Sequence, residues 1–431
     1  MRIIADLHLH SKYSRATSGK MVIPEIARWA NLKGIDLIGT GDFTHPLWLA
    51  ELKRDLIPLN NGFYFYKNNL LEFKTRKSPR FILSAEISSI YSSGGRVRKI
   101  HNVVLAPSIE TAEKINQALS KIGNLHSDGR PILGLSAHDL AKIILNIDSR
   151  CMIIPAHIWT PWFSLFGANS GFDTLEECFG DLSKYIYAGE TGLSSDAAMN
   201  WRLEQLDKIT LISNSDAHSP ANLGREANVF EVESDNYSYD YVAEIIRAKD
   251  PRYFRYTIEF FPEEGKYHFD GHRSCGIKFH PDETKKNNGI CPKCHRPLTI
   301  GVYNRVTKLA NRPEGYKDNN FPSEIHLIPL QEIIAESMGV SKASKKVQEE
   351  YLNIVNIHSE FAVLLDLPQK ELENFVNPKI VRGIINMREG RVKAIAGYDG
   401  VYGVIKVFEN FSDSNSTTTT VKKQKKQNKL F

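Results

Sequence analysis

Cysteine is scarce in this chain: five residues among 431, three of them at Cys275, Cys291 and Cys294. That excludes a disulfide framework, and three clustered thiols read instead as metal ligands in a reducing compartment. Long apolar runs are missing too. No stretch offers the roughly 20 consecutive apolar residues that cross a bilayer. The N-terminus also lacks a basic region followed by an apolar one, so it does not read as a secretion signal. A cytoplasmic location is the expectation. Acid is absent in one place: from Ser414 onward the chain carries five lysines and no Asp or Glu.

What is present argues for a globular protein of more than one domain. Hydrophobic residues make up 42% and aromatics 10%, enough to exclude a disordered chain, and the length exceeds one ordinary core. The net charge of +5 is unevenly spread. Residues 1–265 carry 29 Lys+Arg against 32 Asp+Glu, residues 266–318 carry 11 against 5, and residues 319–413 carry 10 against 13. The excess positive charge therefore sits on the cysteine-bearing segment and the tail, which favours a polyanionic partner.

Residues 1–265 alternate short apolar strands with amphipathic helices. Strands are predicted at 35–39, 80–85, 102–106, 151–155, 187–190 and 210–213, and helices at 23–32, 109–122, 140–148 and 198–208. Such alternation predicts a parallel sheet, and this many repeats a barrel. From Ser323 the composition changes: helices are predicted at 324–338, 344–352 and 357–365, then a hairpin at 391–396 and 401–408, together a small α+β domain over 319–413. Residues 414–420 read as a flexible linker within a basic tail, 414–431.

The chemistry gathers at strand ends. In Asp6-Leu-His8-Leu-His10 the period of an extended strand turns Asp6, His8 and His10 to one face. Further strand ends deliver Asp42 and His45, Glu86, His157, Glu190, and Asp216 with His218, and His101 opens the strand at 102–106. Six strand ends in a row bearing His, Asp or Glu exceed what helix capping explains, and more than four mixed ligands imply more than one zinc, manganese or iron ion. His126 and His138 sit in turn or helix context and read as structural or exposed.

These motifs resemble the PHP (polymerase and histidinol phosphatase) superfamily of phosphoesterases. The resemblance implies a distorted (β/α)7 barrel holding two or three divalent ions, zinc, manganese or magnesium. It implies that His8, His10, Glu86 and Asp216 hold one ion and that Glu86 bridges to a second held by His101 and His157. His218, with Asp42 and His45, would serve a third position. The family's Asp-His dipeptide is here Asp42-Phe43-Thr44-His45. Such a cluster suits phosphoester hydrolysis, in which a metal-bound water attacks phosphorus and ions roughly 3.5–4 Å apart hold the attacking and leaving oxygens in line.

The next segment bears on the substrate. His272-x2-Cys275-x15-Cys291-x2-Cys294 has the spacing of a zinc ribbon with a structural zinc. His272 completes the first knuckle, with His280 and His295 as rival fourth ligands. Arg273, Lys285 and Lys286 make this module basic. A second basic stretch brackets Glu86 and includes Arg76, Lys77, Arg80, Arg96, Arg98 and Lys99. Trp162 and Phe163, after His157, offer rings on which an extruded base could stack. A positive channel leading to a metal cluster suits a DNA backbone.

Barrel, ribbon and C-terminal domain together resemble one PHP branch, endonuclease Q, over residues 1 to about 410. Its distinctive parts here are Thr-Gly-Asp42-Phe-Thr-His-Pro, Glu190-Thr-Gly-Leu-Ser-Ser-Asp196-x-x-Met-Asn-Trp201-Arg and the ribbon ending Pro297-Leu-Thr-Ile-Gly. The branch occurs in archaea and some bacteria. The resemblance implies a DNA repair endonuclease cutting double-stranded DNA on the 5′ side of uracil, hypoxanthine, xanthine or abasic sites, with Asp196, Asp216 and His218 as catalytic candidates. Two alternatives stay open: a phosphatase acting on a small phosphomonoester, and a non-catalytic DNA-binding module. The terminus Gln424-Lys-Lys-Gln-Asn-Lys-Leu430-Phe431 loosely resembles a sliding-clamp binding motif. It departs from that motif at Gln427 and Leu430.

Overall fold

The structure, a computed structural model, describes residues 1–68, 77–318 and 320–408. Arg76 and the whole C-terminal tail, including the clamp-like motif, lie outside the described residues. The fold is mixed α/β, built on one large mixed sheet. Arg2–Asp6 pairs in parallel with Leu37–Gly39, and that strand pairs in parallel with Arg80–Ser93. On its other side Arg2–Asp6 runs antiparallel to Ala227–Glu231, beyond which come Phe254–Glu259 and the edge strand Ser323–His326. Ala188–Glu190 and Thr210–Ile212 form a separate parallel pair. Side-chain amides stitch this pair back to the first strand: Leu7 N–H donates to Asn214 Oδ1, and Asn228 Nδ2 donates to the Ala5 and Ser213 carbonyls.

The expectation of uniformly parallel strands fails at Arg80–Ser93 and Arg96–Ala106. These are the two arms of one long antiparallel hairpin, and Arg96–Ala106 in turn runs antiparallel to Met152–Pro155. The turn is Gly94-Gly95, with φ of 60° and 71°. Two consecutive residues at positive φ turn a strand back on itself within two residues, and glycine reaches that region without steric cost. The hairpin projects His101, Lys99 and Arg98 from the strand facing the one that holds Glu86.

Helices follow their apolar spacing and capping residues. Ile109–Leu119 starts at Ser108, whose side chain accepts from Thr111 N, and buries Ala112, Ile115 and Leu119. Ile23–Lys33 and Ala137–Ile147 match their predicted positions closely. The helix expected at 198–208 is broken into Ala197–Asn200 and a 3-10 turn, Glu204–Lys208, because the Arg202 carbonyl accepts from Asn311 and Arg312 instead of continuing the helix. The helix expected at 324–338 begins only at Leu330. Pro329 cannot sit inside a helix, so Ser323–His326 is free to add to the sheet edge. Lys345–Ile357, a π-helical turn Ala362–Asp366 where a helix was expected at 357–365, the helices Gln369–Leu372 and Pro378–Arg388, and the short hairpin of Lys393–Ile395 with Val404–Lys406 follow in the C-terminal part. It packs on the sheet-bearing part through the stacked Trp29 and Tyr351 rings and the buried pair Lys33–Glu360. Among the described residues no helix is long and apolar enough to cross a membrane.

Candidate metal centre

His8 and His10 lie just beyond the C-terminal end of the first strand, and both are buried. One nitrogen of each ring is occupied from behind. His8 Nδ1 lies 3.0 Å from Glu190 Oε2, and His10 Nδ1 lies 3.1 Å from Asp42 Oδ1. With Nδ1–H donating to these carboxylates, each Nε2 presents a lone pair on the far side. There the two Nε2 atoms and Asp216 Oδ1 are buried without any hydrogen-bond partner. His10 Nε2 stands 3.1 Å from both Glu86 Oε2 and Asp216 Oδ1, and His8 Nε2 stands 3.7 Å from the same two oxygens.

The other Glu86 oxygen serves a second group. Oε1 is 2.6 Å from His101 Nδ1 and 3.1 Å from His157 Nε2. A fully buried carboxylate thus divides its two oxygens between two ligand sets, His8/His10/Asp216 and His101/His157. Orphaned buried nitrogens facing shared carboxylates would cost free energy in a dry protein, and divalent cations supply the missing partner. The donor set fits two such ions. Asp42, His157 and Asp216 all hold positive φ, at 48°, 32° and 46°. Strain of that kind persists only where the surroundings over-determine it, and it fixes the side chains before any ligand arrives.

The electrostatics agree. Burial alone would raise the Glu86 and Asp216 carboxyls, but the facing imidazoles, and Arg130 for Glu86, hold both below the usual range. Burial likewise opposes charge on His8 and His10, yet Glu190, Glu86 and Asp42 outweigh it and raise both imidazoles above 6.5. Metal binding must therefore displace protons and weaken as the pH falls. His101 differs: burial pushes it down to about 4.

Several sequence expectations need correction. Asp42 stands behind His10, accepting from Ser11 N and Ser14 Oγ, so it orients a ligand and does not face the cluster. His45 stacks on Tyr13 at 4.3 Å and its Nε2 lies 3.2 Å from the His126 carbonyl oxygen. The two extra residues between Asp42 and His45 carry that ring away from the other ligands. Asp6 accepts from Ser215 N and Gly224 N, which anchors the Asp216 loop. His218 stays beside the cluster, its ring centroid 4.5 Å from His10 and its Nδ1 on the Asp216 carbonyl, but the two ligand groups close without it. Asp196 caps Ala197–Asn200, pairs with His326 at 3.2 Å and forms with Glu324 and His326 a group separate from the two above.

The basic residues separate into two places. Arg80 starts its strand six residues before Glu86, about 20 Å away at the rise of a β-strand. It and Lys77 pair there with Asp235, at the opposite end of the sheet from the cluster. Lys99 and Arg98 lie beyond the cluster on the hairpin, over the rings of Phe163 and Phe172, with exposed Arg96 at its tip. Phe163 packs 4.7 Å from His101, and Trp162, 41% exposed, abuts Tyr267. In the ribbon, His272, Cys275, Cys291 and Cys294 converge. His280 caps the helix Pro281–Lys286 and His295 is exposed, which leaves His272 as the fourth member. Arg273, Lys285 and Lys286 are all exposed on this module.

Two contributors escaped the sequence reading. Glu190 was legible as a strand-end acid, but not as the residue that orients His8. Arg130, whose Nη1 donates to Glu86 Oε2 at 2.9 Å, left no local signal, since an arginine in a loop resembles any surface arginine.

The family model described as the MJ0043 C-terminal domain matches residues 329–391. The uncharacterized protein YqxK of Bacillus subtilis is 28% identical over 428 residues, 94% of this chain and 99% of that protein. The uncharacterized protein MJ0043 of Methanocaldococcus jannaschii is 31% identical over 258 residues, which span 31% of its length. Among solved structures, the lesion-specific endonuclease PfuEndoQ of Pyrococcus furiosus superposes with a TM-score of 0.82 at 31% identity, covering 94% of this chain and 95% of that one. Endonuclease Q bound to a 27-mer duplex with an abasic lesion at its active site matches equally well, over 95% of this chain and 97% of that one.

Proposed function

The chain belongs to the endonuclease Q family, and from that membership we infer a metal-dependent DNA endonuclease that hydrolyses the phosphodiester 5′ of deaminated bases or abasic sites. We read the mixed sheet with its flanking helices as the family's distorted (β/α)7 barrel, and the His272/Cys275/Cys291/Cys294 group as a structural zinc ribbon. The observation that carries the activity is Glu86, buried and shared between two ligand sets, in a chain whose fold follows a lesion-specific endonuclease almost end to end.

Divalent ions bound there would supply Lewis acidity toward a phosphodiester and neutralise charge that develops during in-line displacement. The chain's own residues prepare for this. Glu190 and Asp42 hold the Nδ1 protons of His8 and His10, so both imidazoles offer Nε2. Glu86 and Asp216 remain carboxylates through the neutral range. Lys99, Arg98 and Arg96 on the hairpin, with Arg273, Lys285 and Lys286 on the ribbon, supply the positive field that attracts and aligns a duplex. Trp162 and Phe163 stand at the mouth beside His101, where a base leaving the stack would find aromatic faces.

The decisive experiment incubates metal-loaded protein with end-labelled duplexes bearing one uracil, hypoxanthine or abasic site, beside undamaged DNA and a generic phosphomonoester. A single nick 5′ of the lesion is expected. Equal cutting of undamaged DNA, or turnover of the phosphomonoester alone, would sink the reading. Asp216→Ala is expected to abolish nicking while duplex binding persists; normal cutting by that variant would refute the ligand assignment.

A further inference from the structure

Arg130 is placed with unusual care for a loop arginine. Its turn is pinned on every side. Asp128 Oδ1 accepts from Arg130 N at 3.1 Å and Arg15 N at 3.2 Å, Gly129 N donates to the Tyr13 carbonyl, and Thr44 Oγ1 donates to the Gly129 carbonyl at 3.1 Å. Gly129 lies so close to the residues behind His10 that a Cβ there would fall 2.3 Å from Asp42 Oδ2 and from Ser14 Oγ. Immediately after the arginine, the Pro131 carbonyl accepts from Ser88 N and Ile132–Leu133 joins the strand that carries Glu86. The same packing that orients His10 therefore aims Arg130.

The side chain reaches the cluster itself. Nη1 donates to Glu86 Oε2 at 2.9 Å, and that oxygen also faces His8 and His10. Among the described residues this is the one hydrogen bond of its side chain, and 24% of the side chain is exposed. A guanidinium has five N–H donors in a fixed fork that matches phosphate oxygens. Most of that fork is left for a ligand. His45, meanwhile, is held away from the cluster by Tyr13 and the His126 carbonyl.

We propose that Arg130 is a catalytic residue: its guanidinium, anchored on Glu86, grips a non-bridging oxygen of the scissile phosphate, and its fixed charge takes the place of a third ion. The fixed monocation makes a further dication beside Glu86 and Asp216 unfavourable, so the cluster holds the two ions that its two ligand sets describe. Unlike an ion, the arginine cannot be chelated away. It keeps one phosphate-binding group in place whatever metals are available.

The inference rests on the phosphodiesterase reading above, so the test includes measurements that need no turnover. Full-length wild type, Arg130→Gln and Arg130→Lys are loaded with manganese, and bound ions are counted by mass spectrometry. Inorganic phosphate binding to each is measured by calorimetry, and nicking is followed on an abasic-site duplex. The expected wild-type content is two cluster ions beside the ribbon zinc. Arg130→Gln should keep those ions, bind phosphate at least about tenfold more weakly and nick about 10²–10³-fold more slowly, the loss typical of one preorganised oxyanion donor. Arg130→Lys should fall between. A third manganese that survives substitution of His326, which belongs to the separate Asp196/Glu324/His326 group, or unchanged phosphate affinity in Arg130→Gln, would overturn the proposal. Loss of ions from a folded Arg130→Gln would do the same, since it would make the arginine a mere counter-ion of Glu86. If the wild type nicks no lesion, the endonuclease reading fails while the ion count and phosphate affinity still decide the role of Arg130.

Discussion

Replacing Glu190 with glutamine changes one atom and isolates the support behind His8. Glu190 is fully buried and its two oxygens face three donors. The His157 amide lies 3.1 Å from Oε1, Asn214 Nδ2 lies 2.9 Å from Oε2, and His8 Nδ1 lies within 3.1 Å of both. A carboxylate accepts from all three. An amide keeps one acceptor and turns the other position into a donor, which must then meet the His157 N–H or the Asn214 amide head-on. One buried donor is left unsatisfied, a cost of about 1–3 kcal/mol in stability. The glutamine NH2 would also favour the His8 tautomer with a bare Nδ1 and a proton on Nε2, the nitrogen that faces the cluster. Losing an orienting partner of this kind weakens metal binding about 10–100-fold, equivalent to about 1.4–2.7 kcal/mol. The expectation is therefore a lower Tm in metal-free protein, a 10–100-fold weaker manganese affinity by competition with a chelator, and a nicking defect that excess metal partly repairs. Wild-type metal affinity in Glu190→Gln would refute the tautomer argument, whatever happened to stability.

Cys291→Ser should cost one zinc per chain and weaken duplex binding while leaving the manganese cluster intact, because ribbon and cluster share no residue; parallel zinc and manganese counts check it. Neutralising Arg96, Arg98 and Lys99 together should weaken lesion-duplex binding and flatten its dependence on log salt by about 0.9 for each phosphate no longer neutralised. Neutralising Lys77 and Arg80 should leave that slope unchanged. Burial opposes charge on His326, but Asp196 and Glu324 outweigh it and lift the imidazole to about 9. A folded pKa above the unfolded value of about 6.5 adds stability that is complete below that pH and is lost as pH rises to 9, at most about 3–4 kcal/mol. Urea titrations across that window should show the decline in the wild type and a flatter profile in His326→Gln.

The two-residue period of an extended strand was enough to set His8 and His10 on one face, and His157 and Asp216 were visible as breaks after apolar runs; Glu86 looked like another such break, but it lies inside the long strand Arg80–Ser93. The ribbon was legible because its ligands are close in sequence. Other features escaped for stated reasons. Gly94-Gly95 is a hairpin signal, but strand–helix alternation along the chain points to crossover connections between parallel strands instead. The basic stretch at 67–99 looked continuous in sequence, but an extended strand carries Arg80 and Arg98 far apart, to the two ends of the sheet. Proline at 329 ended what looked like one helix, and the Arg202 carbonyl found partners at Asn311 and Arg312 that no local pattern announces.

The sequence by itself determined which side chains are available for metal and phosphate chemistry, because those choices depend on residue type and local period. Only the tertiary structure decided how they are used. Glu86 became the shared carboxylate, Glu190 and Asp42 became the partners that orient His8 and His10, His45 was turned away, and Arg130 was brought to Glu86 from a loop 44 residues on. Each of these depends on distances of a few ångströms between segments far apart in the chain, which packing sets and composition cannot.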